Sequence, residues 1–355
     1  MNNFKSGNIN NSIAFLIAFI ALVLAGVVLK LTAPVTVLII IAVFLTCVMN
    51  PLVTALERLK MPRLAAIILT SCLIIIGFFI AGMILYSSGR KILSRWFIYE
   101  NRLLEIYRAL GGFLGFSYNE NLGFIDNLWA KIEVRNNIRQ WTIAFSNGFI
   151  GFFKNALMVV MFVIFILIEA SSIKIKIALA FENKLSSQIR KIASDIERDV
   201  TRYISVKFFI SLATGVVVGI GLQIVNLEFA AVWALMQFII NFIPLIGSIA
   251  IGIFATLFAL LQFWPQPGPV IAVGIIMLST NLILGTIMEP RITGYKLNIS
   301  PIIILIALLL WGWLWGFAGM VLAVPMTVII KIICENIPVL EPVSVLLGSG
   351  KSLSK

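Results

Sequence analysis

From Phe229 to Met288 the chain runs for 60 residues without one Asp, Glu, Lys or Arg, although charged residues make up 12% of the whole. A run of that kind belongs in a membrane. Roughly 20 helical residues cross a hydrocarbon core about 30 Å thick, so the run cannot be a single span. Asn241 to Ser248, with Pro244 and Gly247, and Trp264 to Pro269, with three prolines, divide it into three pieces. Pro244 lacks a backbone donor and Gly247 loosens the chain, so two helical limbs should meet near Pro244 to Gly247. The backbone groups released there should be shielded from lipid, and such broken helices are where many transporters bind substrate.

The remaining sequence agrees. The 355 residues are 61% apolar with a mean hydropathy of +1.07, and the apolar residues come in charge-free blocks. Clear spans are expected at about Ile13 to Leu29, Val35 to Met49, Leu64 to Tyr86, Phe149 to Ile168, Val206 to Val225 and Val270 to Met288. Two long blocks remain, Phe229 to Phe263 and Leu297 to Ile330, each reading as two helices or a re-entrant hairpin. The expected fold is all-α: a polytopic membrane protein of about eight transmembrane helices plus a re-entrant helical hairpin, with ten full spans as the alternative. Either even count places both termini on one side.

Lys and Arg then set the orientation. With the N-terminus cytoplasmic, the inside segments are residues 50–63, residues 169–207 with eight basic residues, the Arg291/Lys296 loop and the tail. Residues 1–86 form a three-span region, 87–148 an extramembrane amphipathic linker and 149–168 a fourth span. Residues 169–205 form a cytoplasmic amphipathic helix, 206–334 a C-terminal bundle with broken helices, and 335–355 a cytoplasmic tail. The net charge of +12 reports topology and attraction to anionic lipid, and no nucleic-acid partner is expected. Ile13 to Leu29 is long enough to span and has no small-residue cleavage site close behind it, so it reads as a first span.

Two extramembrane stripes stand out. Ile92, Trp96, Tyr99, Leu103, Ile106 and Leu110 recur at alternating spacings of four and three before Gly111-Gly112, where the helix should stop. The stripe packs on its own subunit or the membrane surface, or contacts a neighbouring subunit. Leu185, Ile189, Ile192, Ile196, Val200 and Ile204 repeat the pattern, and the opposite face should pair Lys191 with Asp195, Asp195 with Arg198 and Asp199 with Arg202. That helix is either a solvated ion-paired element or a cytoplasmic gate.

Chemistry-bearing motifs are few. There is no histidine, which excludes a Ser-His-Asp triad, a Cys-His pair and an H-E-x-x-H site. Cys47, Cys72 and Cys334 lie in or at the end of apolar helices, so neither a disulfide framework nor a metal site is expected. Gly348-Ser349-Gly350-Lys351-Ser352 imitates a phosphate-binding loop, but its first required glycine is Val345 and no helix can follow. No enzymatic activity and no cofactor are expected, and transport is passive or driven by an ion gradient.

Polar groups inside the apolar helices carry the functional signal, because an unpartnered amide is costly in lipid. Gln237, Asn241, Pro244 and Gly247 cluster at the break, and Asn281 should face them from the next span; these five are the expected substrate pathway. Glu169 and Glu289, with Arg291 beside the latter, are the groups best placed for proton or ion coupling, against the simpler role of interfacial salt bridges. Gly312, Gly316, Gly319 and Pro325 interrupt the last apolar block and read as hinges. Gly215-xxx-Gly219 and Gly312-xxx-Gly316 offer grooves for close helix packing.

Asn241-Phe242-Ile243-Pro244-Leu245-Ile246-Gly247, the segment Glu289 to Pro301, Trp311-Gly312-Trp313-Leu314-Trp315-Gly316-Phe317-Ala318-Gly319-Met320 and Leu322-Ala323-Val324-Pro325 together resemble the autoinducer-2 exporter family of bacterial membrane proteins. The resemblance covers essentially the full chain. It implies a multi-pass permease of the cytoplasmic membrane with both termini inside and a homo-oligomeric state, a pentamer being the expected size. Members are linked both to export of the autoinducer-2 signal and to exchange of sodium or lithium for protons. The expected function is export of a small polar solute without ATP hydrolysis. Sodium or lithium/proton antiport and a non-transporting membrane scaffold are the alternatives. The expected partners are membrane lipid, a small polar solute or monovalent cation, and further copies of the chain.

Overall fold

The computed structural model describes residues 16–17, 20–21, 23–113, 134–180, 183–244, 246–293 and 299–348. The elements are α1 (Ala33–Arg58), α2 (Arg63–Ser94), α3 (Trp96–Phe113), α4 (Val134–Ala180), α5 (Asn183–Ile224), α6 (Ala230–Ile240), α7 (Gly247–Phe263), α8 (Pro267–Thr280), a π-helix (Asn281–Met288), α9 (Glu289–Thr293), α10 (Pro301–Glu335), a short 3-10 turn (Pro338–Leu340) and α11 (Glu341–Leu347). Nothing but helices and their connections is expected in lipid, where each backbone amide must find its partner within its own segment. The described residues bear that out, with only an isolated bridge between Ile299 and Gly348 besides helix.

Six of these helices are long and apolar enough to cross a membrane: Ala33–Arg58, Arg63–Ile92, Ile150–Ala170, Ile189–Ile224, Pro267–Ile292 and Pro301–Glu335. Of the expected first span, Ile13 to Leu29, residues 16–17, 20–21 and 23–29 are described, and they are helical. Several boundaries differ from expectation. α1 runs through Pro51 to Arg58, and α3 continues through Gly111-Gly112 to Phe113. Of the expected amphipathic helix 169–205, residues 169–180 continue α4, and residues 183–205 run on into the following span as one helix, α5, of 42 residues. In each case packing and backbone continuity outweigh a local breaker or a change in surface pattern.

The described residues of Met1–Thr46, Glu169–Val200 and Lys296–Lys355 form one compact unit, and those of Cys47–Ile168 and Thr201–Tyr295 form another. In the second, Val218, Leu222, Leu227, Ala230, Ile251, Ala255, Ala259, Val273 and Met277 make a core shared by α5 to α8. The packing sorts by size rather than by polarity. On α7, Gly247, Ala255 and Ala259 face inward together with Ile251, while Ile249, Ile253 and Leu257 face outward; the small residues let the helices approach closely. Gly215 and Gly219 serve the same purpose within the chain. A Cβ on either would come within 2.8 Å of Ala234 on α6, so this groove is filled internally.

Contacts also tie the ends of elements in this unit. Arg63 at the start of α2 donates to the Leu167 carbonyl at 3.1 Å. At the other end of α2, Arg95 pairs with Glu228, whose second oxygen accepts from the Tyr99 hydroxyl. The Tyr99 ring meets Phe258 at 5.7 Å, beside Phe229 and Trp233. The linker stripe therefore packs on its own chain at Tyr99. Burial, and then the Glu228 carboxylate, push the Tyr99 phenol above its ordinary value.

In the other unit, α10 is broken at Gly316 (φ 62°, ψ −139°). Trp311 and Gly319 would be about 12 Å apart along an unbroken helix. Yet a Cβ on Gly319 would lie 1.8 Å from the Trp311 carbonyl oxygen, and one on Gly312 would lie 3.0 Å from Met320 Cγ. The two limbs fold back on each other. Of the four expected hinge residues, Gly316 makes the turn and Gly312 and Gly319 let the limbs touch. Pro325 sits buried inside the second limb, which continues to Glu335. Within this unit Trp315 also donates to the Leu29 carbonyl at 3.0 Å, and Lys30 lies 3.7 Å from the Trp313 ring centre. On α5, Asp195 pairs with Arg198 as expected, but Asp199 receives the same arginine rather than Arg202.

Candidate functional site

The expected break is present: α6 ends at Ile240 and α7 begins at Gly247. The turn between them is more self-sufficient than Pro244 alone implies. The amides of Asn241, Ile243, Ile246 and Gly247 donate to the carbonyls of Gln237, Ile240, Pro244 and Ile243 at 2.7–3.3 Å. A Cβ on Gly247 would sit 2.1 Å from the Ile240 carbonyl oxygen, so only glycine permits so tight a return. At the far ends of the two limbs, Gln262 accepts from the Glu228 amide at 2.7 Å and donates to the Asn226 carbonyl at 2.9 Å. Both limbs therefore start and finish at one level, and they meet at a tip where Asn241, Ile243 and Gly247 are buried and Ile246 is exposed.

Polar side chains from four helices converge on that tip. Asn241 donates to the Ser211 hydroxyl of α5 at 2.9 Å and accepts from the Ser248 hydroxyl of α7 at 2.6 Å. Asn281, the first residue of the π-helix, donates to the Ser248 carbonyl at 3.3 Å and accepts from Gln237 at 2.9 Å. The expected trio of Gln237, Asn241 and Asn281 is brought together, and Gly247 and Pro244 shape the turn beneath it. Gln237 is fully buried, and its Oε1 accepts no bond among the described residues. Asn241 is not an open group, because its oxygen and one amide hydrogen are already engaged. Each interhelical bond contributes about 0.6 to 2 kcal/mol in a membrane, so the network also fastens the helices.

The π-helix leads from this tip to an ion pair. It has i→i−5 bonding, seen in the Glu289 amide donating to the Leu284 carbonyl. Glu289 accepts from Lys207 through both oxygens at 2.8 Å. Lys207 lies on α5 one turn before Ser211 and is 6% exposed. A lysine so buried is held by its carboxylate partner, since an unpaired charge there would cost several kcal/mol. Arg291 is exposed beyond this pair. Glu169 belongs to the other unit, where it pairs with Lys176 and both side chains remain half exposed.

The sequence reading missed Ser211, Ser248 as a ligand of Asn241, and Lys207. Lys207 stands only one residue inside the apolar run that begins at Val206, where a lysine still reads as part of the basic stretch before it.

Comparisons with known proteins extend along the chain. The family model described as AI-2E family transporter matches residues 13–338. A protein of Haemophilus influenzae is 32% identical over 94% of each chain. AI-2 transport protein TqsA of Escherichia coli is 28% identical over 95% of each. A protein of Borreliella burgdorferi is 36% identical over 59% of this chain and 58% of its own length.

Proposed function

This chain belongs to the AI-2E family of bacterial membrane transporters, and on that premise we propose that it exports a small polar solute, of the autoinducer-2 type, past the tip of the α6–α7 hairpin. The observation that carries the reading is the largely buried amide and hydroxyl network of Ser211, Gln237, Asn241, Ser248 and Asn281, in which Gln237 Oε1 accepts no bond among the described residues. Such groups can replace part of a polar solute's hydration shell during passage. The protein acts without ATP hydrolysis or catalytic chemistry.

The proposed topology has eight spans with α6–α7 as a re-entrant hairpin. α6, with 11 residues, is about 16 Å long and stops short of a 30 Å core. Both termini are cytoplasmic, and the chain assembles as a homo-oligomer, with a pentamer as the expected size. Phe97 and Ile98, exposed on α3, are the apolar side chains offered to a neighbour.

The test is flux in proteoliposomes. Asn241→Leu and Gln237→Leu should insert normally and move autoinducer-2 at least about tenfold more slowly, as loss of about 1.4 kcal/mol of interaction would require. Thr256→Val should behave as the unmodified protein, because Thr256 bonds only its own helix at Gly252. Unchanged flux in both pathway variants places the route elsewhere. A second reading, sodium or lithium exchange for protons, is favoured by the buried Lys207–Glu289 pair. It requires Glu289→Gln to abolish cation flux driven by a pH gradient.

A further inference from the structure

Two cavities adjoin at the end of the α5–α6 pair nearest Asn226. One, of about 400 Å³, is polar and is lined by Ser87, Ser88, Lys91, Arg95, Asn226 and Glu228. The other, of about 410 Å³, is an apolar groove along Val216, Gly219, Ile220 and Ile224. Gln223 and Ala231 line both, so the two are continuous. From Gln223 to Val216 the groove follows α5 for about 10 Å.

We infer that this composite is a binding site for one anionic phospholipid, with its headgroup phosphate in the polar pocket and an acyl chain in the groove. The charges decide the headgroup. Both oxygens of Glu228 are taken by Arg95 and Tyr99, which leaves the Lys91 ammonium without a carboxylate partner among the described residues. Lys91 stands at the end of the apolar stretch Arg63–Ile92, at the depth where headgroups lie. α6 begins beside it with no side-chain cap, so its first amides at Ala230 and Ala231 add donors suited to phosphate. The groove decides the rest. A soluble polar solute would satisfy Lys91 and leave the apolar walls bare, and a hydrocarbon would do the reverse. An amphiphile with a negative head matches both along one continuous surface.

The test uses the full chain, purified in mild detergent and delipidated, then titrated with phosphatidylglycerol, phosphatidylcholine or glycerol 3-phosphate. Bound mass is read by native mass spectrometry. One phosphatidylglycerol should survive activation that strips phosphatidylcholine. Lys91→Gln should lower that retention about fivefold, the usual effect of one basic residue at an anionic headgroup, while Lys91→Arg keeps it. Ala231→Leu, at the junction, should weaken retention of phosphatidylglycerol. Equal retention of the two lipids, unmoved by Lys91→Gln, would mean annular lipid only and overturn the site. Glycerol 3-phosphate bound as well as the lipid would overturn it too, in favour of a soluble phosphoester.

Discussion

Lys207 grips both carboxylate oxygens of Glu289 at 2.8 Å across 82 residues of sequence. The pair joins α5 to the residue at which the π-helix gives way to α9. Lys207 shares α5 with Ser211, and Glu289 directly follows the π-helix that begins at Asn281, so tip and ion pair are coupled through one support. Removing one partner of such a pair strands the other charge.

Lys207→Met should therefore destabilise the protein by about 3 to 5 kcal/mol. Lys207→Met combined with Glu289→Leu should recover part of that loss, because no carboxylate is then left facing an apolar partner. Thermal unfolding in detergent, followed by tryptophan fluorescence, reads both. A double variant as unstable as the single one would show that Glu289 is held mainly by its other contacts.

The π-helix sets the register between the Asn281–Gln237 bond and the Glu289–Lys207 pair. Deleting Gly285, whose position faces open space, should shift the register of one end by one residue relative to the other. Both contacts cannot then form together. The deletion should lower the melting temperature about as much as Lys207→Met, whereas Gly285→Ala should leave it unchanged.

Alkaline pH should release α3 from the hairpin. The Tyr99 phenol is raised above its ordinary value of about 10 by burial and by Glu228. Its contribution is fully present below that ordinary value and is lost as pH rises through the higher folded value. Hydrogen exchange of residues 96–113 should accelerate over that window in the unmodified protein. Tyr99→Phe should exchange faster at neutral pH and show no further alkaline step.

Gly247→Ala and Gly319→Ala should each fail to accumulate as folded protein, because the added carbon would fall 2.1 Å and 1.8 Å from a backbone oxygen. Gly77→Ala, with nothing within 4 Å, should be harmless. Size-exclusion profiles of the three variants make the comparison.

The sequence made the hairpin legible because Pro244 and Gly247 interrupt a run with no other explanation. It made Gln237, Asn241 and Asn281 legible because an amide in lipid must be answered by something. Lys207 was obscured by its position, at the seam between a basic amphipathic stretch and an apolar one, where lysine is ordinary. The π-helix had no marker, since Asn281 to Met288 contains nothing that an α-helix would refuse. In the last apolar block, three glycines and a proline competed as breakers. Only the backbone shows that Gly316 turns while Pro325 is absorbed.

The near-complete circuit at the hairpin tip has a consequence for what can pass it. A visitor must offer as many donors and acceptors as it displaces, or groups such as Ser211 and Asn241 are stranded in hydrocarbon. Among the described residues, Gln237 Oε1 accepts no bond, so on the proposed route entry begins with a molecule that can donate. On the proposed route, the tip would select by hydrogen-bonding partners before size, favouring hydroxyl-rich molecules over apolar ones of the same bulk.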